Sequence, residues 1–521
     1  MIMTGRKFGY VFLLSLFLLG GCKKEQPITS LQRSIPEAEG VSSQGIIEFL
    51  NAAAKSSHEF HSLMFLRHGK VIAEGWWAPY KPELRHTLYS TSKSFTATAV
   101  GFAVSEKKLS VEDKVISFFP DQLPDTVSKF LSALKVKDLL SMSAGQEPDP
   151  TFKIVVNQNN WVKSFLSVPI VHEPGTKFLY NTLATYMLSA IVQKATGEKV
   201  IDYLKPRLFQ PLSIDGMDWE VDPNGINCGG WGLRLKTEDM AKFGQLFLQK
   251  GKWNGSQILP VSWIQEASTL KIYQAPEAAQ SKKDSSDWMQ GYCYQMWRCR
   301  HNAFRADGAY GQYIIMMPDQ DAVIAITAET ADMQSELNLV WDYLLPAMKG
   351  DKLAENKPLN IQLKQRLSTL ALPLPSTIGT ISPVAKSISG KTFVLEPNDK
   401  HMKSLGFSFE VSKCNLTMQI DSASYNFSLG YGQWMQNETS LLGPNLLLQA
   451  KAHFVGLSPS KAEGSFGWKD ENTLELVLRY IESPHTETIT CKFDKNKISV
   501  DLHYSNMPGN KQPEIHGVLN E

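Results

Sequence analysis

The sequence has no charge surplus of either sign. Lysine and arginine number 53 against 52 acidic residues, a formal net charge of +1. A nucleic-acid partner calls for a clustered basic excess, so that class is excluded. Cysteine is scarce: Cys22, Cys228, Cys293, Cys299, Cys414 and Cys491. None has metal-ligand spacing and there is no His-Glu-x-x-His, so neither a metal nor another cofactor is expected. With Cys22 set aside, an odd number remains and at least one thiol cannot pair within the chain. Cys414 and Cys491 both fall in predicted strands, where a disulfide and two buried thiols are equally open. No internal repeat or low-complexity block stands out. The apolar run Tyr10–Leu19 is too short to span a bilayer comfortably.

Against these absences stand 521 residues, 43% hydrophobic and 20% charged, the composition of a soluble globular protein with room for two or three domains. The N-terminus reads as a targeting segment, with Arg6 and Lys7 before the apolar run. It ends in Leu19-Gly20-Gly21-Cys22, which resembles a bacterial lipobox whose cysteine is acylated. Residues 1–21 are therefore expected to be a lipoprotein signal peptide and 22–36 a tether. The implied location is a bacterial cell envelope, with a lipid anchor at Cys22 in the membrane.

The stretch that carries chemistry is Ser90-Thr-Ser-Lys93, followed by small and apolar residues that predict a helix. Residues three apart share a helix face. A helix N-terminus is electropositive and has free N–H groups. Both features ease charge on a serine oxygen and favour a neutral neighbouring lysine. A neutral lysine can accept the serine proton, which makes the pair a nucleophile with its own base. A capping serine beside a surface lysine has the same spacing, so other stretches must agree. One is Pro174-Gly-Thr-Lys-Phe-Leu-Tyr180-Asn-Thr182, a loop able to aim a phenol inward. A nearby lysine cation is expected to draw Tyr180 toward phenolate, fitting it to relay protons. The other is Phe304-Arg-Ala-Asp-Gly-Ala-Tyr-Gly-Gln312, whose small residues let a backbone run beside a substrate.

The chain order predicts helices over Gly45–Ala54, Ser94–Val104, Val136–Met142, Ala184–Thr196 and Ser335–Met348. A further helix is expected over Glu238–Gln249, capped by Thr237, and another element opens at Ser110. Strands flank these helices: a hairpin over Ser62–Trp76 turning at His68-Gly69-Lys70, then Tyr292–Trp297, Gly311–Met317 and Ala322–Thr327. Both ends can share one antiparallel sheet with the helices as an inserted layer. Residues 349–388 read as a proline-containing linker. Alternating strands dominate 389–521, a β-rich accessory domain built as a sandwich or small barrel.

The ordered set resembles the serine β-lactamase-like hydrolases: class C β-lactamases, D-Ala-D-Ala peptidases, esterases and 6-aminohexanoate-dimer hydrolases. Ser90-Thr-Ser-Lys93 is similar to the family's Ser-x-x-Lys, Tyr180-Asn-Thr182 to its Tyr-x-Asn, and Ala306-Asp-Gly308 to its Lys-Thr-Gly. Leu139–Gly145 and Gly230–Met240 resemble later family segments. The likeness covers residues 37–348. It implies an α+β fold, a β-lactamase/transpeptidase-like antiparallel sheet with a helical layer, followed by the all-β C-terminal domain.

By this resemblance Ser90 is the nucleophile, Lys93 its base and Tyr180 the shared acid and base. The backbone N–H groups of Ser90 and Ala309 form the oxyanion hole. Thr182, Ala306, Asp307 and Gly308 line the substrate. Two departures matter. Thr182 replaces the asparagine that meets a β-lactam amide, and Ala306 replaces the lysine that meets its carboxylate. The expected activity is hydrolysis of a small-molecule ester or amide through an acyl-enzyme, peptidoglycan-derived substrates included. The alternatives are a D-amino-acid peptidase or weak β-lactamase, and a catalytically silent envelope binding protein.

Overall fold

A computed structural model describes residue 1 and residues 30–452, 455–507, 509 and 512–520. The signal-peptide and lipidation readings, Cys22 included, lie outside the described residues. Among the described residues no helix is long and apolar enough to cross a membrane, and no group of His, Cys, Asp and Glu could hold a metal ion.

A seven-stranded sheet organises the first part of the chain. Its order is Gln32–Arg33, Lys70–Trp76, Glu59–Arg67, Ala322–Glu329, Gln312–Met317, Phe304–Gly308, Trp297–Arg298. All neighbours are antiparallel except the first pair. Ala322–Glu329 is apolar at almost every position because both its faces are covered. Val323 and Ala325 pack into the large helical layer, and Ile324 and Ile326 into the opposite core. That second core is closed by helix Ser43–Lys55 and the helical run 333–347. The hairpin turns where expected, with His68 at φ 50° and Gly69 at φ 75°. Positive φ at both central residues matches the twist of the flanking strands.

The chain enters this sheet at Gln32, inside the stretch read as a tether, because Gln32 and Arg33 pair with Lys70 and Val71. The stretch read as a linker contains helix Lys357–Ser368, whose Leu363 is buried in the sheet's second core. Three local readings are corrected. Ser110–Asp113 is a turn held by the Ser110 N–H on Asp113 (2.7 Å), because the acid serves the turn, and the element that follows is only a short 3-10 helix, Val115–Phe118. Thr237 is the first residue of helix Thr237–Leu248 and not its cap; its hydroxyl instead meets Ser62 at 2.8 Å. Tyr292–Trp297 is not a strand: only Trp297–Arg298 joins the sheet. Gln295 there has φ 58° and turns the chain, and its buried amide bonds the Leu139 and Leu140 carbonyls.

The C-terminal part resolves the choice between sandwich and barrel. Nine strands close on themselves. They run from Lys391–Leu395 through Met402–Phe409, Lys413–Ile420 and Ala423–Tyr431, and return by Ser460–Trp468, Thr473–Tyr480, Thr486–Asp494, Lys497–Tyr504 and Ile515–Leu519. Gly430 and Tyr431 pair in parallel with Ser465 and Phe466 to shut the barrel. Met435–Thr439 adds an outer strand. Alternate residues fill the interior, with Phe393, Phe407 and Phe493 in mutual contact and Trp468 against Phe493. Cys414 and Cys491 are two buried free thiols in this core, and Cys228, Cys293 and Cys299 are also free.

Candidate active site

Ser90 lies in a single 3-10 turn, Tyr89–Thr91, that runs directly into helix Ser92–Ser105. The helix is buried from Ser92 to Ala103, which explains its lack of a polar stripe: Phe95 stacks on Phe243 at 4.1 Å. The turn is fastened on two sides. Thr91 donates to the Gln312 carbonyl at 2.8 Å, and the Leu233 N–H reaches the Ser92 hydroxyl at 3.2 Å. Tyr89 has φ 46°. A left-handed backbone in a bulky residue costs about 1–2 kcal/mol and persists only where surroundings enforce it.

Lys93 is 1% exposed. Its Nζ is 2.7 Å from the Gly230 carbonyl, 3.0 Å from Ser90 Oγ and 3.3 Å from Thr182 Oγ1. A neutral amine has two N–H groups and one lone pair. When Lys93 is neutral, Gly230 and Thr182 can take its two N–H groups, which leaves the lone pair for the Ser90 hydroxyl. Burial pulls the Lys93 pKa down to about 7 against the opposing pull of Asp149 and Asp307. Gly230 is where a side chain cannot be accommodated: a Cβ there would lie 2.7 Å from Thr182 Cγ2 and 3.4 Å from Lys93 Nζ.

Tyr180 enters from the loop before helix Thr182–Thr196. Asn181 caps that helix by accepting from the Ala184 N–H, and its amide is held by Gln146 at 2.9 Å. The Leu179 N–H donates to the Met142 carbonyl at 2.8 Å, so Leu139–Gly145 props the loop. The Tyr180 ring lies 5.1 Å from Lys93 Nζ and stacks on Trp297 at 5.7 Å, with the Ser90 hydroxyl as the neighbour that most opposes its rise in pKa. The expected drift toward phenolate does not occur. Desolvation dominates and raises the Tyr180 pKa, while burial lowers that of Lys93 to about 7 and so reduces its cationic fraction. Tyr180 is a neutral phenol that can donate a proton.

Strand Phe304–Gly308 borders the other side. Gly308 presses against the nucleophile turn so closely that a Cβ would meet the Leu88 carbonyl oxygen at 2.2 Å. Ala309 follows, its carbonyl accepting from Gln312 Nε2 at 3.1 Å. Ala306 is fully buried against the helical layer and presents no charge. Asp307 accepts from Arg305 Nε at 2.8 Å, and burial raises its pKa against that guanidinium. Arg305 is itself fully buried and stacked 4.3 Å over Trp288; its Nε and Nη1 serve Asp307, the Asp287 carbonyl and Cys299 Sγ, and its Nη2 is without a hydrogen-bond partner among the described residues.

The structure thus brings together Ser90, Lys93, Tyr180 and Thr182, with Gly308 and Ala309 at the rim. It does not turn Ala306 toward an open site. Sequence reasoning missed the carbonyl of Gly230 and the carboxylate of Asp149, because neither has a residue-type signature. A family model described as beta-lactamase matches residues 60–347, most of the Glu37–Met348 span.

The chain belongs to the β-lactamase family.

A 6-aminohexanoate-dimer hydrolase of Paenarthrobacter ureafaciens is 25% identical over 282 residues, which is 50% of this chain and 71% of that protein. A beta-lactamase of Escherichia coli (strain K12) is 22% identical over 241 residues, 42% of this chain and 58% of its own length. Among solved structures, a Bacillus anthracis protein named as a 6-aminohexanoate-dimer hydrolase superposes with a TM-score of 0.51 at 19% identity. It covers 62% of this chain and 89% of its own. That likeness concerns the fold alone. The family-matched region ends before the barrel begins.

Proposed function

We propose that this protein is a serine hydrolase that cleaves an ester or amide lacking a carboxylate next to the scissile bond, by way of an acyl-enzyme on Ser90. The observation that carries this reading is the buried Lys93, 3.0 Å from Ser90 Oγ with a pKa near 7. Ser90 Oγ attacks the carbonyl carbon as its proton passes to Lys93 Nζ. The charge that develops on the carbonyl oxygen is met by the N–H groups of Ser90 and Ala309. Tyr180, a neutral phenol beside Ser90, hands a proton to the leaving group and recovers it from Lys93. Water then attacks the acyl carbon by the same relay in reverse. Intact-mass analysis with a serine-reactive phosphonate tests the reading. One adduct should form and map to the peptide holding Ser90; an adduct on any other residue overturns it.

Charge sets the preference among substrates. The ionisable groups coupled to Lys93 are two carboxylates, Asp149 and Asp307, and the nearby Arg305 is already paired. A β-lactam carboxylate lacks the cation it meets elsewhere in the family. A charge-assisted contact is worth about 1.5–3 kcal/mol, so cephalosporins should lose on the order of tenfold to a hundredfold in kcat/KM. Short-chain aryl esters should turn over readily in the same assay. Cephalosporin hydrolysis as efficient as ester hydrolysis would refute this preference. D-dipeptides in the panel test the peptidase alternative.

The enzyme is proposed to sit in a bacterial envelope, held by acylation of Cys22. The support is Leu19-Gly-Gly-Cys22 after a short apolar run. A metabolically incorporated fatty-acid analogue should label the full-length wild type and not Cys22→Ser. Equal labelling of the two removes the lipid anchor from the proposal.

A further inference from the structure

The barrel reaches into the site. Its strands Thr473–Tyr480 and Thr486–Asp494 are joined by residues 481–485, and this turn sits against the residues that lead to Ser90. The Glu482 carbonyl accepts from the N–H of Thr87 at 2.9 Å and from its hydroxyl at 3.1 Å. The Glu482 carboxylate is clamped by Arg85 at 3.0 Å and Arg234 at 3.4 Å. Tyr80 donates to the Ser483 carbonyl at 2.9 Å. Arg479, on the strand before the turn, pairs with Glu59 of the central sheet.

At the end of the turn His485 is completely buried. Its Nδ1 lies 2.6 Å from Glu329 Oε1, which also accepts from the Ser505 hydroxyl at 2.9 Å. A carboxylate can only accept, so Nδ1 carries the hydrogen and a neutral ring presents Nε2 as an acceptor. The partner of Nε2 is the Tyr89 hydroxyl at 2.5 Å, and that hydroxyl also receives the Leu446 N–H at 3.4 Å. Tyr89 is the residue immediately before Ser90. The same imidazole meets the ring of Tyr310 edge-on at 4.8 Å, and Tyr310 immediately follows Ala309. Tyr310 also reaches the barrel, at the Asn506 carbonyl (3.4 Å), and has φ 64°.

One side chain of the barrel therefore touches the neighbour of each proposed oxyanion donor, and both neighbours hold a left-handed backbone. We infer that His485 is a positioning residue of the catalytic site: backed by Glu329, it holds Tyr89 in its strained conformation and so aims the Ser90 N–H and hydroxyl. The inference rests on the assignment of Ser90 and Ala309 above. The reason is geometric. The peptide between Tyr89 and Ser90 carries the Ser90 N–H, and it rotates with the backbone angles of Tyr89. If Tyr89 relaxes to negative φ, the N–H turns away from the oxyanion and the hydroxyl shifts from Lys93. Misplacement of about 1 Å costs on the order of a hundredfold in rate without removing any group. The barrel is then part of the catalytic unit and not an appendage, although the complete motif set precedes Met348.

The test uses full-length protein and aryl-ester kinetics. Tyr89→Phe removes one hydroxyl and keeps the ring, and His485→Ala removes the imidazole. Each should lower kcat about tenfold or more, with KM changed less than about threefold, because binding contacts remain while the transition-state donor is misaligned. His485→Gln, whose amide oxygen can accept from Tyr89, should recover part of the loss. Thermal melting checks that each variant is folded. If His485→Ala does not fold, Tyr89→Phe decides. Folded variants with kcat within twofold of wild type overturn the inference, as does a loss confined to KM. Ser90→Ala in the same assay separates the two readings. If Ser90→Ala is inactive and Tyr89→Phe is normal, only the positioning role fails; if Ser90→Ala is active, the proposed function itself fails.

Discussion

Ser90→Ala is expected to abolish both ester turnover and covalent labelling. The substitution deletes the bond-forming oxygen and leaves Lys93, Tyr180 and the surrounding turn in place. Removal of the nucleophilic serine from a Ser-His-Asp hydrolase costs on the order of 10⁶-fold in kcat, and a comparable loss is expected here. The variant should fold as the wild type does. Ser90 is partly exposed in a short turn, and the fastening bonds belong to Thr91 and Ser92. Intact-mass spectra after phosphonate treatment should show a single adduct on the wild type and none on the variant. A variant that still forms an acyl adduct would show that another residue is the nucleophile.

Lys93→Ala should lower kcat/KM by about 10²–10⁴-fold, the usual worth of a positioned general base. The more discriminating result is the pH profile. Lys93 acts as a base only when neutral, and its pKa is held near 7 by burial. Wild-type kcat/KM should therefore rise with pH, about tenfold per unit below 7, and level off above it. The residual activity of Lys93→Ala should lack that limb. A wild-type profile that is flat between pH 5 and 9 would refute the neutral-lysine mechanism. The same depressed pKa carries a cost in stability. Between about pH 7 and the ordinary lysine value of about 10.4, the unfolded chain binds a proton that the folded chain has released. The contribution of Lys93 to stability must rise with pH across that window. At neutral pH Lys93→Met is expected to melt no lower than the wild type, despite losing three hydrogen bonds. Burying an ionisable group to tune it costs stability that catalysis recovers as rate.

Most readings that depend on neighbours along the chain agree with the structure. Ser90 and Lys93 are three residues apart at a helix start, so their meeting is a property of local geometry. The hairpin at His68-Gly69 is legible for the same reason, since positive φ is a demand the residue types advertise. Helix Thr182–Thr196 ends at Gly197, whose φ is 79°. The Ser110–Asp113 misreading is local, a turn closed by an acid three residues on, and the others fall where a distant partner overrides a local pattern. Tyr292–Trp297 is apolar and aromatic because Tyr292 and Trp297 wall in Tyr180, and that pattern mimics a strand. Thr237 resembles a cap, but Ser62 from another element claims its hydroxyl. Tyr180 was expected to ionise beside a cation, a conclusion from proximity alone. Burial governs both groups and reverses it.

The sequence by itself determined which side chains carry the proposed chemistry, because Ser-x-x-Lys, the tyrosine loop and the glycine strand are short patterns with strong local geometry. It also determined that a helical layer separates two sets of strands and that a second, all-β unit follows. Tertiary structure alone shifts the pKa of Lys93 down and that of Tyr180 up, since desolvation depends on everything packed around a group and no stretch of chain records it. Tertiary structure alone also decided that the β unit closes into a barrel and sets His485 against Tyr89, 396 residues away. A contact that distant leaves no trace in periodicity or spacing: it exists only after two folded surfaces meet and the hydrogen bonds of each find their partners in the other.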